Sequence, residues 1–224
     1  MKSWKHIFKL DPAKELSDDE IDQLCQSGTD AIIIGGTDGV TYDKVESLLE
    51  KVQAYALPCL LEVSTMDAIV PGFDYYFIPM VMNSTEKKWM MDIQHKAIKH
   101  YKPFLDWGLP LLVEGYCILN EDCKAFKKTN CKRPDQEDVI AYAYMAEHFF
   151  SLPIFYIEYS GMYGDPELVA QVKAELKQTL LFYGGGIVNH DKAREMKKHA
   201  DVIIVGNIIY DDFVKALETV TAVK

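Results

Sequence analysis

Short runs of consecutive apolar residues alternate along the chain with stretches in which apolar residues recur every three or four positions. The runs have the length of strands that are covered on both faces, and the spaced stretches have the period of helices that bury one side. Val45, Leu49 and Val52, for example, form such a helical stripe. The predicted strands are residues 6–10, 30–36, 58–64, 74–83, 111–119, 154–161, 180–182 and 202–205.

Helix start signals precede several of the helical stripes. Ser17 is followed by Glu20 in a capping box, Asp135 opens an acidic first turn, and Asp165 precedes a proline at the first helical position. Eight strands and about seven helices in alternation predict one (β/α)8 TIM barrel domain over residues 1–224.

The alternation is interrupted after the third strand. Residues 65–72 contain Pro71 and no helical stripe, so we interpret the third helix as replaced by an extended or mobile segment; a short, unrecognised helix is the alternative. A missing outer helix exposes apolar wall, which calls for a hydrophobic ligand or a partner subunit. The candidate wall residues are Met66, Ile69, Val70, Phe73, Phe77, Met80 and Met82.

Glycine-rich turns follow the seventh and eighth strands. Three glycines, residues 184–186, follow one strand, and Gly206-Asn207 follows the next. Backbone N–H groups in such turns bind anions, and barrel enzymes hold phosphate between the loops after strands 7 and 8. Glycines that only form tight turns are the simpler alternative. We favour a phosphate site.

Composition narrows the possible partners. The formal net charge of −10 disfavours duplex nucleic acid. Arg133 and Arg194 are the only arginines, so phosphate must be held by backbone N–H groups, lysine or a metal.

The five cysteines lack paired spacing, which disfavours zinc and fits reduced thiols. No apolar run approaches the roughly 20 residues of a membrane span, and no signal-peptide core precedes residue 12, so we expect a cytoplasmic protein, possibly peripheral to the membrane.

A basic segment lies in the long polar loop predicted at residues 120–134. Its cations are Lys124, Lys127, Lys128, Lys132 and Arg133. They are either solvated surface or a surface that faces a diphosphate or an anionic membrane.

Polar residues at strand ends supply candidate chemistry. Asp11 and Thr37 offer oxygen ligands for a Mg²⁺ ion that keeps most of its waters and neutralises a diphosphate leaving group. Glu158 can orient or deprotonate an attacking hydroxyl, unless it is a structural carboxylate paired with Lys9. No Cys/His or Ser/His/Asp set and no dinucleotide fingerprint accompanies them. The predicted mouth contains Lys9, Asp11, Thr37, Glu62, Glu114, Tyr156, Glu158, Ser160, Gly186 and Asn207. Of Tyr156 and Tyr159, the one that faces inward can pack against a developing cation.

Seven segments stand out as specific motifs: HIFKLDP at 6–12, SGTDAIIIGGTDGVT at 27–41, DAIVPGF at 67–73, EGYCI at 114–118, IFYIEYSG at 154–161, LFYGGGI at 181–187 and ADVIIVGN at 200–207. Together they resemble the PcrB family, the heptaprenylglyceryl phosphate synthases related to archaeal geranylgeranylglyceryl phosphate synthases. The resemblance implies transfer of a heptaprenyl (C35) chain from its diphosphate to a hydroxyl of sn-glycerol 1-phosphate. It also implies Mg²⁺, a barrel without its third helix, and a homodimer.

The same resemblance assigns roles by motif. Asp11 and Thr37 would bind Mg²⁺, although the family commonly has Ser at the position of Thr37. Ala97 would lie in the prenyl groove, where the archaeal relatives carry a bulky aromatic residue. The residues implied to bind glycerol 1-phosphate are Lys9, Tyr156, Ile157, Glu158, Tyr159, Ser160, Gly161, Gly186, Gly206 and Asn207.

Two other functions remain open from the residues alone. A sugar-phosphate isomerase or lyase would use Asp11 with Glu114 or Glu158 as an acid–base pair. It explains the phosphate site but leaves the apolar wall without a use. A non-catalytic lipid- or protein-binding barrel uses the wall and leaves the polar mouth unexplained.

Overall fold

The structure, a computed structural model, describes residues 1–105 and 110–224 and, within these, all side chains except those of residues 102–105. Eight parallel strands pair in chain order, and β1 also pairs with β8, so that the sheet closes into a barrel. The predicted (β/α)8 class is therefore confirmed. The strands are β1 (His6–Leu10), β2 (Ala31–Ile34), β3 (Cys59–Glu62), β4 (Tyr75–Val81), β5 (Leu111–Ile118), β6 (Ile154–Glu158), β7 (Leu180–Gly184) and β8 (Val202–Val205).

The helices begin at the predicted capping residues. Ser17 accepts from the Glu20 N–H while the Glu20 carboxylate accepts from the Ser17 N–H, and Asp135 caps its helix in the same way. Asp165 caps a helix that has proline at its first position. The helices are α1 (Asp18–Gln26), α2 (Tyr42–Val52), α3 (Ile93–Leu105), α4 (Lys124–Lys128), α5 (Gln136–His148), α6 (Pro166–Glu175), α7 (His190–Met196), α8 (Ile208–Asp211) and α9 (Phe213–Thr221).

Alternation along each strand divides the core into two layers. On β1, Phe8 and Leu10 pack outward against the helices, whereas Ile7 lies in the barrel interior. On β7, Leu181 faces outward and Phe182 faces inward. Since side chains alternate along a strand, Lys9, Glu62, Glu114 and Glu158 are carried on the inward faces of four strands.

No α-helix connects β3 to β4 in the described chain, which confirms the predicted absence of the third helix. A single 3₁₀ turn at Met66–Ala68 is the only helical element in this connection. The predicted extent of the exposed wall was wrong, however. Val70 and Phe73 are buried because they pack with Tyr76, whose hydroxyl donates to the Val70 carbonyl at 2.9 Å.

Two further wall candidates are buried for different reasons. Phe77 faces the barrel interior, where its ring lies 6.1 Å from that of Phe182. Met82 packs close to Gly115. The half-buried remainder is Met66, Ile69 and Met80.

Three local elements were not predicted. A π-helix at Lys88–Asp92 precedes α3. The basic loop contains α4, and α8 lies between β8 and the closing helix α9. Within the described chain, no helix combines the length and the apolar character needed to cross a membrane.

Candidate active site

A cavity of about 360 Å³ opens at the carboxyl ends of the strands, the end of a TIM barrel that carries its chemistry. Apolar residues of β4 and α3 also line it, among them Ile78 and Ile93. One cavity therefore joins the polar mouth to an apolar trough. The predicted site residues that line it are Lys9, Asp11, Thr37, Ala97, Tyr156, Glu158, Ser160, Gly161, Gly186, Gly206 and Asn207.

Backbone N–H groups without an acceptor gather on one side of this cavity. Gly186 and Ile187 follow β7, and within the described chain their N–H groups donate to no protein atom. The same holds for Asn207 and Ile208 after β8. Because these unpaired N–H groups come from two neighbouring turns that line one cavity, they form a cradle for an anion with several oxygens.

The glycines that form this cradle are needed for close packing. A Cβ at Gly184 would overlap the Tyr156 hydroxyl, and one at Gly186 would overlap the backbone N–H of Tyr163. Gly186 also has φ 57°, a conformation that costs other residues energy. The glycine backbone thus lies very close to the loop after β6. The cradle is therefore shaped by the loops after three strands.

Lys9 forms a two-point ion pair inside the barrel. Its Nζ lies 2.6 Å and 2.8 Å from the two carboxylate oxygens of Glu62. Burial acts to lower the pKa of Lys9, but the charges of Glu62 and Glu158 outweigh it and leave that pKa raised. The alternative in which Glu158 is a structural partner of Lys9 is not observed, because Glu62 takes that place.

Glu158 is held by donors on both of its oxygens. The Tyr116 hydroxyl donates to Oε2 at 3.0 Å, and the Ser160 N–H donates to Oε1. Ser160 adopts a φ of 37°, an uncommon backbone conformation that turns its N–H back toward the carboxylate. Burial raises the pKa of Glu158, and the charge of Lys9 offsets this only in part. Glu158 is therefore a fixed carboxylate that is more basic than an exposed one.

Glu114 lies below the cavity, and neither of its carboxyl oxygens has a hydrogen-bond partner among the described residues. It is 1% exposed. Burial and the nearby Glu62 raise its pKa well above the ordinary value. Burial without a partner thus favours the neutral form of Glu114, and its absence from the cavity lining removes it from the acid–base pair considered for an isomerase.

This protonation state predicts how Glu114→Gln changes the pH dependence of stability. A carboxyl with a raised folded-state pKa stabilises the fold below its unfolded pKa, and that contribution is lost as the pH rises toward the folded value. Each pH unit in this window costs about 1.4 kcal/mol for one proton. The glutamine variant lacks this proton, so its free energy of unfolding should fall less as the pH rises above the ordinary pKa of a glutamate.

Urea unfolding across this pH range measures the effect. Glu147→Gln is the matched control, because the Glu147 carboxylate accepts N–H groups from residues 177–179 and its pKa is lowered. The control should keep the wild-type slope at neutral pH. An unchanged slope in Glu114→Gln would show that Glu114 is ionised in the fold.

Asp11 and Thr37 present oxygen donors to the cavity, and their chemistry fits Mg²⁺. The Asp11 Oδ1 accepts from the Ala13 N–H at 2.9 Å and packs against Gly36. No group of three or more His, Cys, Asp or Glu side chains within the described residues is arranged to hold a metal. Mg²⁺ commonly takes one or two protein ligands and completes its shell with water and substrate phosphates, so this small donor set suffices.

The apolar trough runs along α3. Ile93, Gln94 and Ala97 share one face of the helix and line the cavity opposite Met66 and Ile69. Gln94 donates to the Pro79 carbonyl at 2.7 Å, which ties α3 to the part of β4 that extends beyond β3. Ala97 therefore lines the trough, and its predicted role in a prenyl groove stays a prediction.

Two predicted binding residues point elsewhere. Ile157 and Tyr159 are buried in the outer layer between strands and helices, and their side chains do not line the cavity. Strand alternation explains this, since their neighbours Tyr156 and Glu158 face inward. Tyr156 is therefore the tyrosine available to a substrate cation.

Sequence reasoning missed several contributors to the site. Tyr116 was not identified as a donor to Glu158, although its inward position follows from alternation with Glu114 and Ile118 on β5. Tyr210, which accepts from the Asp11 N–H at 2.8 Å, lies in the unpredicted α8.

The fold and the site define a (β/α)8 barrel whose mouth joins a cradle of unpaired amides to an apolar side trough. Comparison with known proteins narrows this class. The model of the PcrB family matches residues 1–224, and the chain belongs to the PcrB family.

Two curated relatives of this chain are named for the same activity. A heptaprenylglyceryl phosphate synthase of Oceanobacillus iheyensis is 60% identical over 225 residues, covering 100% of this chain and 98% of the relative. One from Geobacillus sp. (strain WCH70) is 53% identical with the same coverage.

Among solved structures, the fold is similar to (S)-3-O-geranylgeranylglyceryl phosphate synthase from Thermoplasma acidophilum, solved with sn-glycerol-1-phosphate. The TM-score is 0.85 at 19% identity, covering 99% of this chain and 94% of the other. The corresponding Thermoplasma volcanium enzyme gives a TM-score of 0.84 at 19% identity, covering 99% and 93%.

Proposed function

We propose that this protein is a heptaprenylglyceryl phosphate synthase, which transfers a heptaprenyl chain from heptaprenyl diphosphate to sn-glycerol 1-phosphate. The observation that carries the proposal is the single cavity in which an amide cradle, Glu158 and an apolar trough meet. The cradle suits the phosphate, the trough suits the chain, and Glu158 is available to the hydroxyl that must lose a proton.

The reaction follows from these positions. The oxygen of the glycerol hydroxyl forms a bond to C1 of the prenyl chain, and its proton passes to the Glu158 carboxylate. The bond between C1 and the diphosphate oxygen breaks, and its electron pair leaves with the diphosphate. Tyr156 lines the cavity and would stabilise positive charge that develops at C1. Tyr116 and the Ser160 N–H keep Glu158 oriented throughout.

We further propose that Asp11 and Thr37 hold Mg²⁺. The ion would supply positive charge to the departing diphosphate. Lys9, fixed by Glu62, places a cation at the floor of the mouth, where it is available to the glycerol phosphate.

Incubation with heptaprenyl diphosphate, Mg²⁺ and each glycerol phosphate enantiomer tests the function. We expect product from sn-glycerol 1-phosphate and little from the other enantiomer, because the phosphate and the reacting hydroxyl are both fixed. Equal use of the two enantiomers would contradict a stereospecific pocket, and turnover of a sugar phosphate without prenyl donor would favour an isomerase.

The trough predicts that Ala97→Trp shortens the accepted donor. A tryptophan there would fill the space between α3 and the segment at Met66 and Ile69. We expect the KM for heptaprenyl diphosphate to rise at least about tenfold, equivalent to about 1.4 kcal/mol, while geranylgeranyl diphosphate is affected less.

Mass spectrometry of products from mixed donors measures this shift. Ile98→Trp is the matched control, because Ile98 is 51% exposed and does not line the cavity. An unchanged product length in Ala97→Trp would place Ala97 outside the prenyl path.

A homodimer and transient membrane contact are also proposed on the family resemblance. Exposed aromatic residues at the end of α5 support a protein contact, since Tyr144 is 48% and Phe149 71% exposed. Sedimentation equilibrium tests the dimer, and a monomer at micromolar concentration would refute it. Co-sedimentation with anionic vesicles tests the membrane contact, and no association would refute it.

A further inference from the structure

The basic segment after β5 lies across the barrel mouth. Lys128, at the end of α4, donates from Nζ to the Thr37 carbonyl at 2.5 Å, and its Nζ lies 3.5 Å from Asp38 Oδ1. Lys124, one turn earlier, places its Nζ 3.4 Å from Asp38 Oδ2. The loops after β5 and β2, which are far apart in sequence, are thus joined beside the proposed Mg²⁺ ligands.

Lys128 is one of two cationic side chains that line the cavity within the described residues. The other, Lys9, has its charge balanced by the buried carboxylate of Glu62. The side chain of Lys128 is 44% exposed, and its one ion-pair partner among the described residues is the more exposed Asp38. Lys128 can therefore leave Asp38 for a stronger anion at little cost, because exposed ion pairs contribute little.

The charges around the mouth favour a cation that can contact a bound diphosphate. Asp11, Glu62 and Glu158 line the cavity beside the place where a diphosphate would meet Asp11 and Thr37. A diphosphate there would meet net negative charge from the protein. Neither of the two arginines lines the cavity to offset that charge. A lysine ammonium is a compact point charge that suits phosphate oxygens.

We propose that Lys128, assisted by Lys124, binds the diphosphate of the prenyl donor and exchanges its contact with Asp38 for that ligand. The assignment rests on the proposed prenyl transfer, since it locates the leaving group of that reaction. It also gives the basic segment a use that a solvated surface would lack.

Calorimetric binding of inorganic pyrophosphate, with and without Mg²⁺, tests the assignment without relying on turnover. Lys128→Ala should weaken pyrophosphate binding about tenfold, the loss expected for one charge-assisted hydrogen bond. Lys127→Ala is the matched control: Lys127 is on the same helix, but its Nζ donates to the Asp122 carbonyl and does not line the cavity. The control should stay within about twofold of wild type.

Equal losses in the two variants would overturn the proposal and indicate a general basic surface. No loss in Lys128→Ala would overturn it as well. Kinetics add a second readout, because Lys128→Ala should raise the KM for heptaprenyl diphosphate and leave that for glycerol phosphate unchanged. If the wild-type protein makes no prenyl ether, the proposed function fails. If it makes the ether while Lys128→Ala keeps wild-type pyrophosphate affinity, only the Lys128 assignment fails.

Discussion

Glu158→Gln is expected to lower kcat by about 10²- to 10⁴-fold, the range for removal of a general base. The variant should fold, because glutamine is isosteric and its carbonyl oxygen can accept the Ser160 N–H in place of Oε1. The Tyr116 hydroxyl, now facing an amide N–H, can turn from donor to acceptor. Glycerol phosphate should still bind, because its phosphate is held by the amide cradle. Isothermal titration with glycerol phosphate and single-turnover kinetics separate the two effects.

The pH dependence of kcat/KM distinguishes a general base from a residue that only supports the structure. The wild-type kcat/KM should fall as the pH decreases through the pKa of Glu158. Because burial raises this pKa, the fall should occur at a higher pH than for an ordinary glutamate. Tyr116→Phe removes a hydrogen bond to the charged form of Glu158, so in this variant kcat/KM should begin to fall at a higher pH. A Glu158→Gln enzyme with near wild-type kcat would mean that another group takes the proton.

Asp11→Asn is expected to lower kcat/KM at fixed Mg²⁺ by at least about 10²-fold, a loss of about 2.7 kcal/mol in transition-state stabilisation. The amide oxygen can keep the bond from the Ala13 N–H, so the loop should stay in place. The negative charge is lost, and with it the strongest oxygen ligand that the chain offers beside Thr37. The Mg²⁺ concentration needed for half-maximal activity should rise.

Mn²⁺ binding followed by electron paramagnetic resonance, with pyrophosphate present, tests the metal site independently of activity. The matched control is Glu15→Gln, which removes an exposed carboxylate from the same loop. The control should bind Mn²⁺ as wild type does. Wild-type Mn²⁺ affinity in Asp11→Asn would exclude Asp11 from the metal shell.

The barrel could be predicted because its elements carry strong local signals. These signals are apolar runs of strand length and capping residues such as Ser17, Asp135 and Asp165. They depend on neighbours within a few residues, so they can be recognised from the sequence alone. The absence of the third helix was readable for the same reason. Inward positions such as Lys9 and Glu158 followed from strand alternation, and applying the same rule to Tyr159 would have turned it outward.

The remaining features depend on contacts between distant parts of the chain. Lys9 and Glu62 are 53 residues apart, and their pairing depends on the stagger of β1 and β3, which no local pattern encodes. The burial of Val70 and Phe73 depends on how the connection to β4 folds against Tyr76. The contact between Lys128 and Thr37 spans 91 residues and follows from a short helix hidden in a polar loop.

A crystal structure of the protein soaked with sn-glycerol 1-phosphate tests the central claim most directly. We expect phosphate oxygens within about 3 Å of the N–H groups of Gly186 and Asn207, and a glycerol hydroxyl hydrogen-bonded to Glu158. A phosphate held instead by lysine side chains away from these loops, or a glycerol that does not reach Glu158, would contradict the account.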